Sequence, residues 1–193
     1  MSRVLSIIKT PQATLRQVAR GVQIKDLATP KIRRLISNMK ETLKITPDGV
    51  GLAAPQIGES LRIFIISEEA EEIDKAEKAG WKRKREDDIS EKNEKPYEMR
   101  EWKYYVFINP TIKKMSKNKL DGAEGCLSVP GKFGSVKRHE KITVVAYDEH
   151  GKKFTRGASR FFSRVVQHEL DHLDGTLFID KAERIIESRS MTK

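Results

Sequence analysis

The sequence predicts an α+β fold in which mostly antiparallel strands pack around a helix near the C-terminus. Three observations carry that prediction. Short apolar, β-branched runs recur between turn signals, as in Leu61-Arg-Ile-Phe-Ile-Ile-Ser67 and Lys141-Ile-Thr-Val-Val-Ala-Tyr147. Apolar residues fall at helical spacing once early and once late in the chain. No internal repeat marks out a second unit, so the 193 residues read as a single domain with a charged insertion at about residues 68–103.

The opening, Val4-Leu-Ser-Ile-Ile-Lys-Thr-Pro11, reads as extended chain broken by its proline. Over residues 31–43, Ile32, Leu35, Ile36, Met39 and Leu43 stand three and four apart, which predicts an amphipathic helix. Thr29-Pro30 just before them reads as an N-cap followed by proline at the first helical position. Next, Gly49-Val-Gly-Leu-Ala-Ala-Pro-Gln-Ile-Gly58 leaves the backbone nearly bare, open to close approach by another chain. Its plainest reading is a tight loop before a strand, with Gln56 as the one polar side chain. It lacks a lysine and the glycine spacing of a phosphate cradle.

A buried strand follows over residues 61–67, and then the composition turns to charge. Residues 68–103 are too polar for a core of their own and read as a solvated excursion, helical over 68–79. The sharper reading is a lid or docking arm anchored by Trp81 and Trp102. Tyr104-Tyr-Val-Phe-Ile is again a strand, expected to stop at Asn109-Pro110. Cys126 lies in a glycine-flanked turn, and the alternating strand at 141–147 ends in Asp148-Glu-His-Gly151. The breaker-free stretch 158–166 leads into the late helix, with Gly175 as its stop.

The net charge of +10 and pI near 9.6 favour loose attraction to polyanions such as the ribosome. No compact nucleic-acid motif is present, which argues against specific DNA binding. No run reaches membrane-spanning length, and the N-terminus lacks a signal-peptide pattern. With one cysteine no intrachain disulfide can form, as suits a reducing compartment. The expected location is the cytoplasm, with an organelle left open.

The late helix carries His168-Glu-Leu-Asp-His172. Residues i and i+4 share a helix face, so both histidines can turn a ring nitrogen to one metal ion. Glu169 beside them can take a proton from water held there. The bland alternative is a core helix with two histidines by accident. Two ligands leave a catalytic metal short, and Cys126 is the available third. Cys-His₂ plus an open position is the pattern of a catalytic site and suits Fe²⁺, Zn²⁺, Ni²⁺ or Co²⁺. His139 and His150 have no comparable partners and read as surface residues.

Three stretches together, Gly49-Val-Gly-Leu-Ala-Ala-Pro-Gln56, Glu124-Gly-Cys-Leu-Ser128 and Gln167-His-Glu-Leu-Asp-His172, resemble the peptide deformylases. The likeness runs from Val4 to Leu177-Phe-Ile-Asp180, outside the charged insertion. It implies an α+β hydrolase that removes the formyl group from the initiator methionine of nascent polypeptides. It also implies one divalent metal per chain, Fe²⁺ first and Zn²⁺, Ni²⁺ or Co²⁺ after it, on Cys126, His168 and His172. Glu169 would be the general base and then the acid as metal-bound hydroxide attacks the formyl carbon. Gln56 and the Leu127 backbone N–H would steady the oxyanion. Gly51 would offer backbone to the peptide, with Val50, Phe161 and Val165 around the methionine side chain. Two departures stand out: the insertion is longer than the family leads one to expect, and Phe133 sits in a variable stretch that ends at Arg138, a usual basic position. Two other readings are an HExxH endopeptidase and a basic ribosome-associated protein with a structural metal. The first usually takes its third ligand downstream of the helix, and the second has no use for Glu169.

Overall fold

The computed structural model describes residues 2–78 and 103–187. The expected anchors Trp81 and Trp102 lie outside that set. Among the described residues, helix α1 (Pro30–Lys44) precedes strands β1 (Gly51–Ala53) and β2 (Ile63–Ser67), and α2 (Glu69–Lys78) follows them. After the undescribed stretch come β3 (Tyr104–Met115), β4 (Lys119–Leu120), β5 (Ala123–Cys126), β6 (Val129–Ser135) and β7 (Arg138–His139). Then β8 (Lys141–Tyr147) and β9 (Lys153–Ser159) lead to α3 (Arg160–Leu173) and β10 (Arg184–Glu187). Five strands form the main sheet in the order β1-β2-β3-β8-β9, and every pairing in it is antiparallel. A small sheet β10-β6-β5 and a pair β4-β7 complete the set.

Strand β2 shows why the sheet is held firmly. Side chains alternate across a strand. Phe64 and Ile66 join the core beneath α3, and Ile63 and Ile65 join the core beneath α1. All five residues of β2 are buried, which is why this stretch is apolar without alternation. Each such side chain contributes about 1.5–3 kcal/mol by leaving water. Phe64 stacks on Phe107 of β3, ring centroids 4.7 Å apart.

Helix α1 starts where expected, with Pro30 in its first turn. The Thr29 hydroxyl, however, donates to the Asp26 carbonyl at 2.8 Å rather than capping the helix. Asn109-Pro110 does not end β3. Asn109 takes φ 51°, the register jumps between Ile108 and Thr111, and the strand resumes to Met115. A bulge absorbs the proline's missing donor. Asn109 then uses its amide like a backbone group, accepting from the Val22 N–H at 2.8 Å and donating to the Val22 carbonyl at 2.7 Å.

Seven of the strands were not foreseen. β1 lies inside the glycine-rich loop, β4 to β7 occupy the stretch read as turns (Cys126, expected in a turn, is the last residue of β5), β10 follows the late helix, and β9 takes in Ala158 and Ser159, which read as the approach to the helix. β9 is an edge strand with only Ala158 buried, and its register is dictated by β8. The start of the charged segment is also no solvated excursion. α2 packs against α3 with Ala70 fully buried. The segment leaves and rejoins the sheet at one place: the Glu68 N–H donates to the Lys103 carbonyl at 2.9 Å, and the Lys103 N–H to Glu68 Oε1 at 3.1 Å. No helix among the described residues is long and apolar enough to cross a membrane.

Candidate metal centre

α3 is buried along nearly its whole length, polar residues included. Its end is fixed by Gly175 at φ +71°, where a Cβ would strike the Arg16 carbonyl at 2.6 Å. His168 and His172 stand one turn apart on its inner side. Cys126 comes to them as the last residue of β5, just before the two-residue turn at Leu127 and Ser128. The pairing with β6 jumps between Gly125 and Cys126, a bulge that re-aims the thiol.

Cys126 Sγ lies 3.2 Å from His172 Nε2, and one ligand atom from each of Cys126, His168 and His172 falls within 4.8 Å of the others. Donors around a tetrahedral cation stand roughly 3.3–3.6 Å apart for sulfur and nitrogen ligands. The cluster therefore fits a divalent ion with small adjustment. The donor chemistry agrees, because His168 Nδ1 faces Glu124 Oε2 at 2.9 Å and leaves Nε2 for a metal. The thiol sulfur accepts from the Ser128 N–H at 3.4 Å and from Gln56 Nε2 at 3.7 Å. Gln56 is oriented by its other end, where Oε1 accepts the Ala53 N–H at 2.8 Å.

Burial disfavours a charged ring at His168, but hydrogen bonds to Cys126 and Glu124 outweigh it and push the pKa up to about 10. A ring that ligates must be neutral, so metal uptake there releases a proton. Burial, and then the charge on His168, hold His172 well below the usual histidine range. Burial pushes the Glu169 carboxyl up to about 7, against the attraction of His168. Such a group can accept and return a proton near neutrality. Glu169 Oε2 is buried without a hydrogen-bond partner among the described residues.

A cleft of about 560 Å³ opens over these groups. Every other residue expected at the site lines it: Val50, Gly51, Gln56, Leu127, Phe161 and Val165, beside Cys126, His168 and Glu169. His172 lies beneath, 1% exposed. Gly51 is required by close approach, because a Cβ there would fall on the Glu169 carboxylate. Of the two remaining histidines, His150 is exposed as expected. His139 is half-buried in β7, its Nδ1 2.6 Å from the Ser116 carbonyl.

The sequence reading missed the charged layer under the Cys126–His168–His172 cluster. Glu124 accepts two hydrogen bonds from Arg138 and one from Arg164, each 2.8 Å, besides that from His168. Arg138 also reaches Asp171 at 2.6 Å, and Asp171 pairs with Lys181 at 2.6 Å. One signal pointed there: Glu124 stands in the same short motif as Cys126, two residues before it.

The model of the polypeptide deformylase family matches residues 4–187. Peptide deformylase 1A, chloroplastic/mitochondrial, from Arabidopsis thaliana is 36% identical over 175 residues, 91% of this chain, and the match spans 60% of that protein's length. Peptide deformylase from Symbiobacterium thermophilum is 37% identical over 182 residues, 94% of this chain and 68% of the relative. Among solved structures, the Met-Ala-Ser-bound class I type b peptide deformylase of Acinetobacter baumannii superimposes with a TM-score of 0.73 at 32% identity. It covers 94% of this chain and 99% of that one. The family's model runs through all three stretches that build this cleft and relatives above 30% identity cover nearly the whole sequence, so this chain belongs to the polypeptide deformylase family.

Proposed function

We propose that this chain hydrolyses the N-formyl group of the initiator methionine in nascent polypeptides, yielding formate and a free amino terminus. One observation carries the reading: a Cys126–His168–His172 cluster opens into a cleft beside a buried carboxylate that ligates nothing in the cluster. Cys126, His168 and His172 would hold a divalent cation, which when bound would activate a water and polarise the formyl carbonyl. Glu169 takes a proton from the water on its unpartnered Oε2 and returns it to the leaving amine nitrogen. Gln56 Nε2 and the Leu127 N–H donate to the oxygen that gains charge. The Gly51 backbone borders the peptide, and Val50, Phe161 and Val165 enclose the methionine side chain. Fe²⁺ is the proposed native ion, with Zn²⁺, Ni²⁺ and Co²⁺ as alternatives the same ligands accept. All 193 residues form one catalytic unit, with 68–103 as an insertion.

The test is formate release from formyl-Met-Ala-Ser by protein purified without oxygen, before and after chelation. Turnover that chelation abolishes and Fe²⁺ restores supports the reading. A folded, metal-loaded protein that releases no formate ends it, and full activity with zinc alone ends the preference for iron. Gly51→Ala should lower kcat/KM on this peptide about 100-fold, because the new methyl displaces the Glu169 carboxylate. A loss under about fivefold would mean that the carboxylate's position is not critical. The net charge of +10 further supports transient attraction to ribosomes in the cytoplasm. Failure to co-sediment with ribosomes at low salt would remove that proposal.

A further inference from the structure

The helix that bears both histidines and Glu169 begins without a cap of its own. Ser159 occupies the N-cap in extended conformation, φ −137° and ψ 158°, yet its side chain makes no capping bond. Arg160 follows at φ 47°, a left-handed value uncommon for a residue with a side chain. The first N–H groups of a helix have no acceptor within it. That of Phe161 is served from outside, donating to Asp74 Oδ1 at 3.1 Å. Asp74 belongs to α2, the first helix of the charged segment, and is 6% exposed.

α2 is a firm base from which to deliver that carboxylate. Ala70, one turn before Asp74 and on the same face, is part of the core. Glu71 pairs with Arg156 of β9 and accepts the Tyr105 hydroxyl of β3 at 2.6 Å. The Arg156 guanidinium in turn lies 3.7 Å from the centre of the Tyr105 ring and 4.6 Å from that of Phe162. Thus α2 is tied to β3, β9 and α3 at once. The residue whose amide it holds is no ordinary first-turn residue, because Phe161 lines the cleft one turn from Val165.

We infer that Asp74 is a positioning residue for the cleft: by accepting the Phe161 N–H it sets where α3 starts, and so where the Phe161 ring stands against bound peptide. The 68–103 segment thereby takes part in substrate binding through its first helix. The inference rests on the deformylase reading for its kinetic arm. A merely structural carboxylate would affect melting temperature and leave Michaelis parameters alone. Asp74→Ala should raise KM for formyl-Met-Ala-Ser about fivefold, the size of a lost cap, with kcat within about twofold of the parent. Asp74→Asn keeps an acceptor oxygen and should restore KM. Asp74→Leu fills the buried space without an acceptor and must repeat the KM rise should the alanine chain fail to fold. Amide exchange at Phe161 should quicken at least about tenfold in the alanine and leucine chains and stay slow in the asparagine chain. An unchanged KM in both acceptor-free variants overturns the inference, as does unchanged Phe161 exchange. If the parent protein releases no formate, the deformylase reading fails, and the Phe161 exchange alone decides whether Asp74 holds the helix start.

Discussion

Replacing Glu169 by alanine is expected to cut formate release from formyl-Met-Ala-Ser by about 10²–10⁴-fold, the range for losing a positioned proton-transfer group. The carboxylate stands at the floor of the cleft, pressed against Gly51, and is 3% exposed. Burial lifts its pKa to about 7, so at neutral pH it is poised both to take and to return a proton. Glu124, another carboxylate in the lining, is committed to Arg138, Arg164 and His168. Gln56 can only donate, through Nε2, because its oxygen is committed to the Ala53 N–H. Metal content should survive the change, since Glu169 is outside the ligand cluster. Thermal stability should hold or rise, because a buried oxygen without a partner is removed. Formate assays and metal analysis on the same preparation check both halves. Activity within about tenfold of the parent, with metal retained, would assign the base elsewhere.

Glu124→Ala should be the most damaging change to the fold of the site. The alanine leaves the Arg138 and Arg164 guanidinium groups and His168 Nδ1 facing an empty acceptor position. Breaking a buried ion pair from one side costs about 3–5 kcal/mol. In a chain of this size that lowers the melting temperature by roughly 6–20 °C. His168 also loses the partner that fixes its ring, and metal affinity should fall about 10–100-fold. Glu124→Gln keeps one acceptor oxygen and should fall between. The sign of the pH dependence follows from the charge. Burial pushes the Glu124 pKa up, but hydrogen bonds from Arg138 and His168 hold it well below the usual carboxylate range. Its stabilisation is therefore complete above the ordinary carboxylate pKa and is lost only as the pH falls toward strong acid. Melting curves at neutral pH with a metal titration are the check. A shift under about 2 °C would show that the arginines find other acceptors.

The elements that were legible in the sequence are those whose burial leaves a period in the chain. β8 alternates because one face is covered, α1 repeats at three and four because one side packs, and β2 is uniformly apolar because both faces are covered. β9 was not legible because an edge strand with only one buried residue takes its conformation from a neighbour. The Asn109-Pro110 stop was misjudged for a related reason: a bulge, and Val22 from a distant part of the chain, satisfy the groups that would otherwise end the strand. At the site, the His168–His172 spacing and the motif around Cys126 pointed to three residues that the fold does bring together. The layer beneath them was hidden because Glu124 meets residues 14, 40 and 44 positions away, and no local pattern records such distances.

The clasp between Glu68 and Lys103 sits directly beyond Ser67 and Tyr104, the last paired residues of β2 and β3 on that side. The two ends of the intervening chain are brought together by the sheet itself, so a change in its length bears on the fold through the cost of closing those ends. Doubling the length of such a loop costs about 0.6 kcal/mol. Because the clasp and the Ser67–Tyr104 pairing fix both ends, a change of chain length between them leaves the register of β2 on β3 in place. The same junction is where an engineer could graft a reporter or an affinity module into the enzyme.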